Sequence, residues 1–180
     1  MRKRILIVPG LNGSGPGHWQ TIWEEKYGCE RVAQSNWEKP DLIGWVRTLN
    51  TAITASSERI VLVAHSLGCL TVAKWTQVYR QKTSQIQCAL LVAPPDVKSS
   101  ISIPATLSRF AAHEPLPFYS MLVGSASDHY MTLEKAGKLA ADWKSCFVNV
   151  GDVGHINLDS GHGPWPEGEA LLTNLMKASA

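Results

Sequence analysis

The sequence has no apolar run near the ~20 residues that a membrane-spanning helix needs. It also lacks an excess of charge of either sign: 17 Lys and Arg stand against 15 Asp and Glu, a formal +2. That balance leaves no basic stripe of the kind nucleic-acid binders use. Neither a nucleic-acid nor a membrane partner is therefore expected. Cysteine is sparse, with four residues at positions 29, 69, 88 and 146 and no Cys-x-x-Cys pair. Such spacing argues against zinc and against thioredoxin-type redox chemistry. Three of the four lie in apolar surroundings, so buried free thiols and a reducing, cytoplasmic setting are expected. After the basic Met1-Arg2-Lys3-Arg4, only Ile5 to Val8 is apolar, short of the roughly 7–15 residues of a secretory signal. The charges read as the flank of a first strand. No internal repeat and no low-complexity segment is visible. The remaining chain, 180 residues with 44% hydrophobic and 18% charged, fits a single domain over 1–180. Its core is large enough to need neither disulfide nor metal.

Short continuous apolar runs alternate with helix-period stretches. Ile5–Val8, Ile60–Ala64, Ala89–Ala93, Phe118–Val123 and Cys146–Val150 each stop at Gly, Pro or a loop. Apolar on both faces, they read as buried strands of a parallel sheet; Glu30–Gln34 is a weaker candidate. Between them Leu42, Val46, Leu49 and Ile53 repeat at 4, 3 and 4, with Asp41 near the start, one face of a helix. Further helices are expected from Leu67 to about Gln81, around Leu133–Trp143, and around Leu171–Met176. The alternation predicts an α/β fold: a mostly parallel central sheet of about six strands with helices on both faces. Ligands bind such sheets beyond the carboxyl ends of the strands.

The loop after Ile60–Ala64 reads Ala64-His65-Ser66-Leu67-Gly68. A serine flanked two residues away by small side chains, between a strand and a helix, is the pattern of a nucleophile elbow. Ala64 stands where glycine is usual. The bland alternative is a serine that merely caps a helix. The helix starting near Leu67 would aim free N–H groups at Ser66, making the Leu67 N–H one oxyanion donor. After the first strand, four glycines fall within Gly10 to Gly17, which suggests backbone lying close to something. Leu11 is the candidate for the second oxyanion N–H. Nucleotide motifs fail here: the Walker lysine is absent, and the third glycine of G-x-G-x-x-G would fall on His18.

A nucleophilic serine needs a base and an orienting acid, in the chain order Ser, acid, His for this class. Asp128 follows Phe118–Val123 on a small-residue loop, and His155 follows Cys146–Val150 after a glycine. Asp96, Asp152 and His162 compete for these roles. Asn12, His18, Trp19, His65 and Trp165 are candidates for the substrate pocket, with Trp37 near the same edge. Helix capping by His18, support by His65 and plain packing of the tryptophans are the alternatives. No two of His18, His65, His129 and His155 share metal-ligand spacing on one element, so neither metal nor cofactor is expected.

These motifs together resemble the small serine hydrolases grouped with retinoblastoma-binding protein nine and the bacterial YdeN-type proteins. The likeness covers nearly the whole chain. It is carried by Ile5-Leu6-Ile7-Val8-Pro9-Gly10 with His18-Trp19, by the Ser66 elbow, by Ala93-Pro94-Pro95-Asp96, and by Ser125-Ala126-Ser127-Asp128. Gly154-His155-Ile156-Asn157, Ser160-Gly161-His162-Gly163 and the distinctive Trp165-Pro166-Glu167-Gly168 complete it. The resemblance implies a compact, lidless α/β-hydrolase core and a triad of Ser66, Asp128 and His155. It names no substrate; the residues themselves lead to the expected activity, cofactor-free hydrolysis of a small ester or acyl substrate, with an amide as a further option, through an acyl-enzyme. The rival function is a non-catalytic peptide- or protein-binding module on the same fold. Segment 94–117, rich in proline and small residues, reads equally as an ordered flap or a loop.

Overall fold

A computed structural model describes residues 4–98 and 103–180. Met1, Arg2 and Lys3 of the basic flank and residues 99–102 of the 94–117 segment lie outside the described residues. The apolar runs pair into one sheet. Its strands are β1 (Arg4–Val8), β2 (Glu30–Arg31), β3 (Ile60–His65), β4 (Ile86–Val92), β5 (Tyr119–Gly124) and β6 (Cys146–Asn149). Their order is β2-β1-β3-β4-β5-β6, and every pairing is parallel. β3 and β4 are buried at every residue, because helices cover both of their faces. Parallel pairing sends the loops after β1, β3, β4, β5 and β6 to one edge, where the candidate residues gather.

The helices are α1 (Trp19–Tyr27), α2 (Leu42–Thr54), α3 (Leu67–Val78), α4 (Leu133–Trp143) and α5 (Pro166–Ala178). Asp41 caps α2 by accepting from the Gly44 N–H at 2.7 Å, and Thr132 caps α4 through Lys135. On one face of the sheet, Trp45, Leu49 and Ile53 of α2 pack with Leu70 and Trp75 of α3 and Leu139 and Trp143 of α4. On the other, Trp19 and Trp23 of α1 pack with Trp165, Leu172 and Leu175 at α5. The Trp-Pro-x-Gly block has a spatial reason. Pro166 opens α5, where its missing N–H costs nothing. A Cβ on Gly168 would lie 2.1 Å from the Trp165 ring, so only glycine leaves room for that indole.

Several expectations need correction. One helix, α1, is not among those expected, because its inner face of Trp19, Gln20 and Trp23 carries too few apolar residues to show a helical period. β2 is two residues rather than Glu30–Gln34. α3 ends at Val78, and residues 80–85 follow as a tighter 3-10 turn. β6 is an edge strand with Cys146 and Phe147 exposed, not apolar-covered on both faces. Accordingly only Cys69 and Cys88 are buried; Cys29 is half-buried and Cys146 exposed. Among the described residues, no helix is long and apolar enough to cross a membrane.

Candidate active site

Ser66 sits between β3 and α3 with φ +53° and ψ −126°, a region that non-glycine residues rarely occupy and that marks a strained turn. The turn is held by close packing against the end of β1. A Cβ on Gly68 would meet the Val8 carbonyl oxygen at 2.1 Å, and one on Gly10 would meet Ser66 Cβ at 2.8 Å and Leu67 N at 2.9 Å. The loop that carries Leu11 therefore lies directly against the first turn of α3. Leu67, as the first residue of that helix, has an N–H with no partner inside it. Ala64, in place of the usual glycine, is fully buried in the sheet between Val8 and Leu91.

The three residues named from successive loops come together in space. His155 Nε2 lies 2.9 Å from Ser66 Oγ, and His155 Nδ1 lies 2.8 Å from Asp128 Oδ2. Asp128 Oδ1 accepts from the Tyr130 N–H at 2.9 Å. Both oxygens of the carboxylate are thus acceptors, so the proton of His155 resides on Nδ1 and the Nε2 lone pair faces the serine hydroxyl. Two serines of the acid loop staple it to the histidine loop. Ser125 Oγ donates to the Gly151 carbonyl at 3.0 Å and accepts from the Val153 N–H at 3.0 Å. Ser127 Oγ accepts from the Gly154 N–H at 2.9 Å.

The competing residues lie elsewhere. Asp96 Oδ2 pairs with Lys135 Nζ at 2.6 Å and its Oδ1 accepts from the Lys98 N–H. Asp152 is exposed. His162 Nδ1 faces Ser160, and its ring lies 6.0 Å from that of Trp165. Among the described residues, no group of three or more His, Cys, Asp or Glu is placed to hold a metal ion.

Ser66, Leu67, His155, Leu11, Asn12, His18 and His65 line a cavity of about 270 Å³. Its apolar lining comes from Pro95, Val97, Ile103, Pro104 and Leu107, with Tyr130 and Leu158. The 94–117 segment thus contributes a wall, and Leu107 and Phe110 pin it to the core. Tyr130, whose ring stands edge-on to His155 at 4.6 Å, and the Ile103–Leu107 wall escaped the sequence reading. Trp19 and Trp165 do not line the cavity, contrary to expectation. Their indoles lie beneath it, 5.1 Å apart and fully covered, because α1 and α5 turn those positions toward the sheet. Trp37 packs beside Gly13 and Trp45.

Arg31, the second residue of β2, clamps the Leu11 loop. Its guanidinium donates to the carbonyls of Gly13 and Ser14 and to Thr21 Oγ1, and it pairs with Glu24 at 2.9 Å. Asn12 and Ser14 have φ +63° and +48°, conformations that this clamp and the Asn12 N–H bond to the Trp37 carbonyl hold in place.

His18 caps α1 by accepting from the Gln20 N–H at 3.1 Å. Burial, aided by the charge of Arg31, lowers its pKa to about 4. Burial, then the neighbouring His155, holds His65 well below the usual imidazole range. Both rings are therefore neutral in the folded protein near neutral pH. Unfolding restores ordinary pKa values near 6.5, so the unfolded chain gains protons first as the pH falls. The stability these rings contribute is complete above about pH 6.5 and is lost as the pH drops toward the folded values. For His18 the loss is on the order of 3 kcal/mol at pH 4. Urea midpoints should fall between about pH 7 and pH 5, and less steeply in His18→Asn, whose side-chain oxygen can take over the cap from the ring Nδ1. An equal fall in the variant would place the acid sensitivity elsewhere.

Comparison with known proteins agrees with the fold. A protein described as a YdeN-like hydrolase from Pectobacterium atrosepticum is 28% identical, with a TM-score of 0.87 over 99% of this chain and 92% of that one. The ydeN gene product of B. subtilis is 21% identical, with a TM-score of 0.80 over 97% and 99% of the two chains. A monoacylglycerol lipase from Paleococcus ferrophilus is 14% identical, with a TM-score of 0.70 over 98% and 94%. At those two identities the likeness shows the fold alone. No curated protein sequence matches the chain. The serine hydrolase family profile matches residues 5–174, and the chain belongs to that family: it is a hydrolase with the α/β-hydrolase fold.

Proposed function

We propose that the protein hydrolyses small esters through an acyl-enzyme on Ser66. The observation that carries this reading is the unbroken chain from Ser66 Oγ to His155 at 2.9 Å and on to Asp128 at 2.8 Å, opening on the 270 Å³ cavity. His155 Nε2 takes the Ser66 proton as Oγ attacks the ester carbonyl. The oxyanion of the tetrahedral intermediate meets the N–H groups of Leu67 and Leu11; one such donor is typically worth about 10²–10³ in rate. Collapse expels the alcohol, which takes the proton from His155. Water activated by the same imidazole then releases the acid and restores Ser66. The wall of Val97, Ile103 and Leu107 suits an uncharged acyl chain, and the small volume favours a short one. Esters are the preferred substrates, since an alkoxide is a much less basic leaving group than an amide nitrogen and depends less on the proton that His155 delivers.

The test is labelling with a fluorophosphonate, read by intact mass, on the wild-type protein and on Ser66→Ala. One adduct on the wild type and none on the variant is the expected result. A folded wild-type protein that takes no adduct would overturn this mechanism and leave the binding module as the better reading.

A further inference from the structure

His65, the last residue of β3, is buried beneath the cavity against the base loop, and the steps above give it no task. It immediately precedes Ser66 in the chain. Its Nε2 lies 2.9 Å from the backbone carbonyl oxygen of His155. A carbonyl only accepts, so Nε2 carries the proton and donates it. The next carbonyl, that of Ile156, accepts from Trp19 Nε1 at 2.9 Å. Two buried ring N–H groups therefore hold two consecutive carbonyls of the base loop.

That turn needs holding. Ile156 has φ +50° and Gly154 has φ +62°, so His155 stands between two left-handed residues. Glycine adopts this conformation freely, whereas a β-branched side chain is strained there. Such strain persists only where the surroundings over-determine the backbone. The acid loop supplies one restraint, through Ser127 on the Gly154 N–H. Trp19 supplies a second from below, and His65 a third from the elbow itself.

We propose that His65 is a positioning residue: by donating to the His155 carbonyl it sets the placement of the base against the serine one residue further along the chain. The idea rests on the triad reading and adds to it. The spacing between nucleophile and base is then fixed by a bond from the nucleophile's own neighbour, not only by the two loops independently. Neutrality of the ring serves the same end, since a cation there would oppose the imidazolium that forms on His155 5.0 Å away.

The test contrasts His65→Phe with His65→Gln. Phenylalanine fills the space but has no donor. Glutamine places an N–H the same number of bonds from Cα but packs less well. Fluorophosphonate labelling and p-nitrophenyl acetate hydrolysis should both slow by about 10- to 100-fold in H65F, through kcat with KM little changed, since a small misplacement of reacting groups has that cost. H65Q should recover most of the rate. A pure packing role predicts the reverse order, with Phe mild and Gln damaging. If H65F does not fold, His65→Met takes its place as the donor-free variant. Wild-type rates in the donor-free variant, or a slower H65Q, would overturn the tether alone. No adduct on the wild-type protein would overturn the triad as well, so the two failures are distinct.

Discussion

Replacing Asp128 by asparagine should lower kcat about 10⁴-fold while KM barely moves. The size of the effect follows from the second oxygen of the carboxylate. Asp128 Oδ1 accepts from the Tyr130 N–H at 2.9 Å, so an amide at this position must turn its own oxygen toward Tyr130. Its NH₂ then faces His155 Nδ1, which can only accept from it. The ring proton moves to Nε2, the nitrogen 2.9 Å from Ser66 Oγ, and the serine loses its base. The opposite amide orientation fares no better, because it sets two donors against each other at Tyr130. The variant also lacks the negative charge that stabilises the imidazolium. Steady-state kinetics on a short ester check the prediction, with Asp96→Asn as the comparison. Asp96 faces Lys135 at 2.6 Å and not His155, so its variant should turn over close to the wild type. A drop in D96N as deep as that in D128N would reverse the assignment of the acid.

How much of this was readable from residues alone differs by element, for physical reasons. β3, β4 and β5 announce themselves because both faces of an inner parallel strand must be apolar. β6 carries the same kind of residues, yet it lies at the sheet edge with Phe147 outward, and strand order is not written in local composition. α1 was hidden because two indoles and a glutamine make its buried face, too few apolar residues to count as a period. Helix α4, with Ala136, Leu139, Ala140 and Trp143 inward, shows its period plainly. For the site, chain order and strand ends suffice to bring Ser66, Asp128 and His155 to one edge, since parallel strands deliver their loops there. Side-chain direction is another matter. Trp19 and Trp165 lie at the correct edge and point beneath it, because helix phase and the space above Gly168 decide their orientation. The Ile103–Leu107 wall comes from tertiary folding of a segment whose proline-rich composition has no period to read. Ser125 and Ser127 belong to a block that carries the resemblance, but their task as staples shows only when the histidine loop arrives beside them.

Gly68→Ala should cost more stability than any other single methyl added to the elbow. The added Cβ would lie 2.1 Å from the Val8 carbonyl oxygen, 2.8 Å from that of Pro9 and 3.0 Å from the Val8 carbonyl carbon. All three are backbone atoms of the first strand and its exit, so no flexible side chain can yield. Nor is the obstacle conformational, because the positive-φ residues of the chain do not include Gly68. The conflict is one of volume, and α3 must retreat from β1 to relieve it. Overpacking a rigid core typically costs about 1–3 kcal/mol, and more where nothing relaxes; a loss of roughly 3 kcal/mol or greater is expected here. Retreat of α3 also draws the Leu67 N–H away from the Gly10–Leu11 loop, so any folded fraction should label slowly with fluorophosphonate. Gly15→Ala is the control, since nothing lies within 4 Å of its added methyl, and its unfolding free energy from urea titration should stay within about 0.5 kcal/mol of the wild type. The sequence itself has made half of this experiment. At position 64 a methyl already replaces the customary glycine, and there it is fully buried within the core cluster on the α2, α3 and α4 side of the sheet. The elbow is thus asymmetric: one flank accepts a methyl, whereas the other is the contact that presses the helix start onto the Gly10–Leu11 loop. A G68A protein as stable and as reactive as the wild type would mean that this contact does not position the proposed donors, the N–H groups of Leu67 and Leu11.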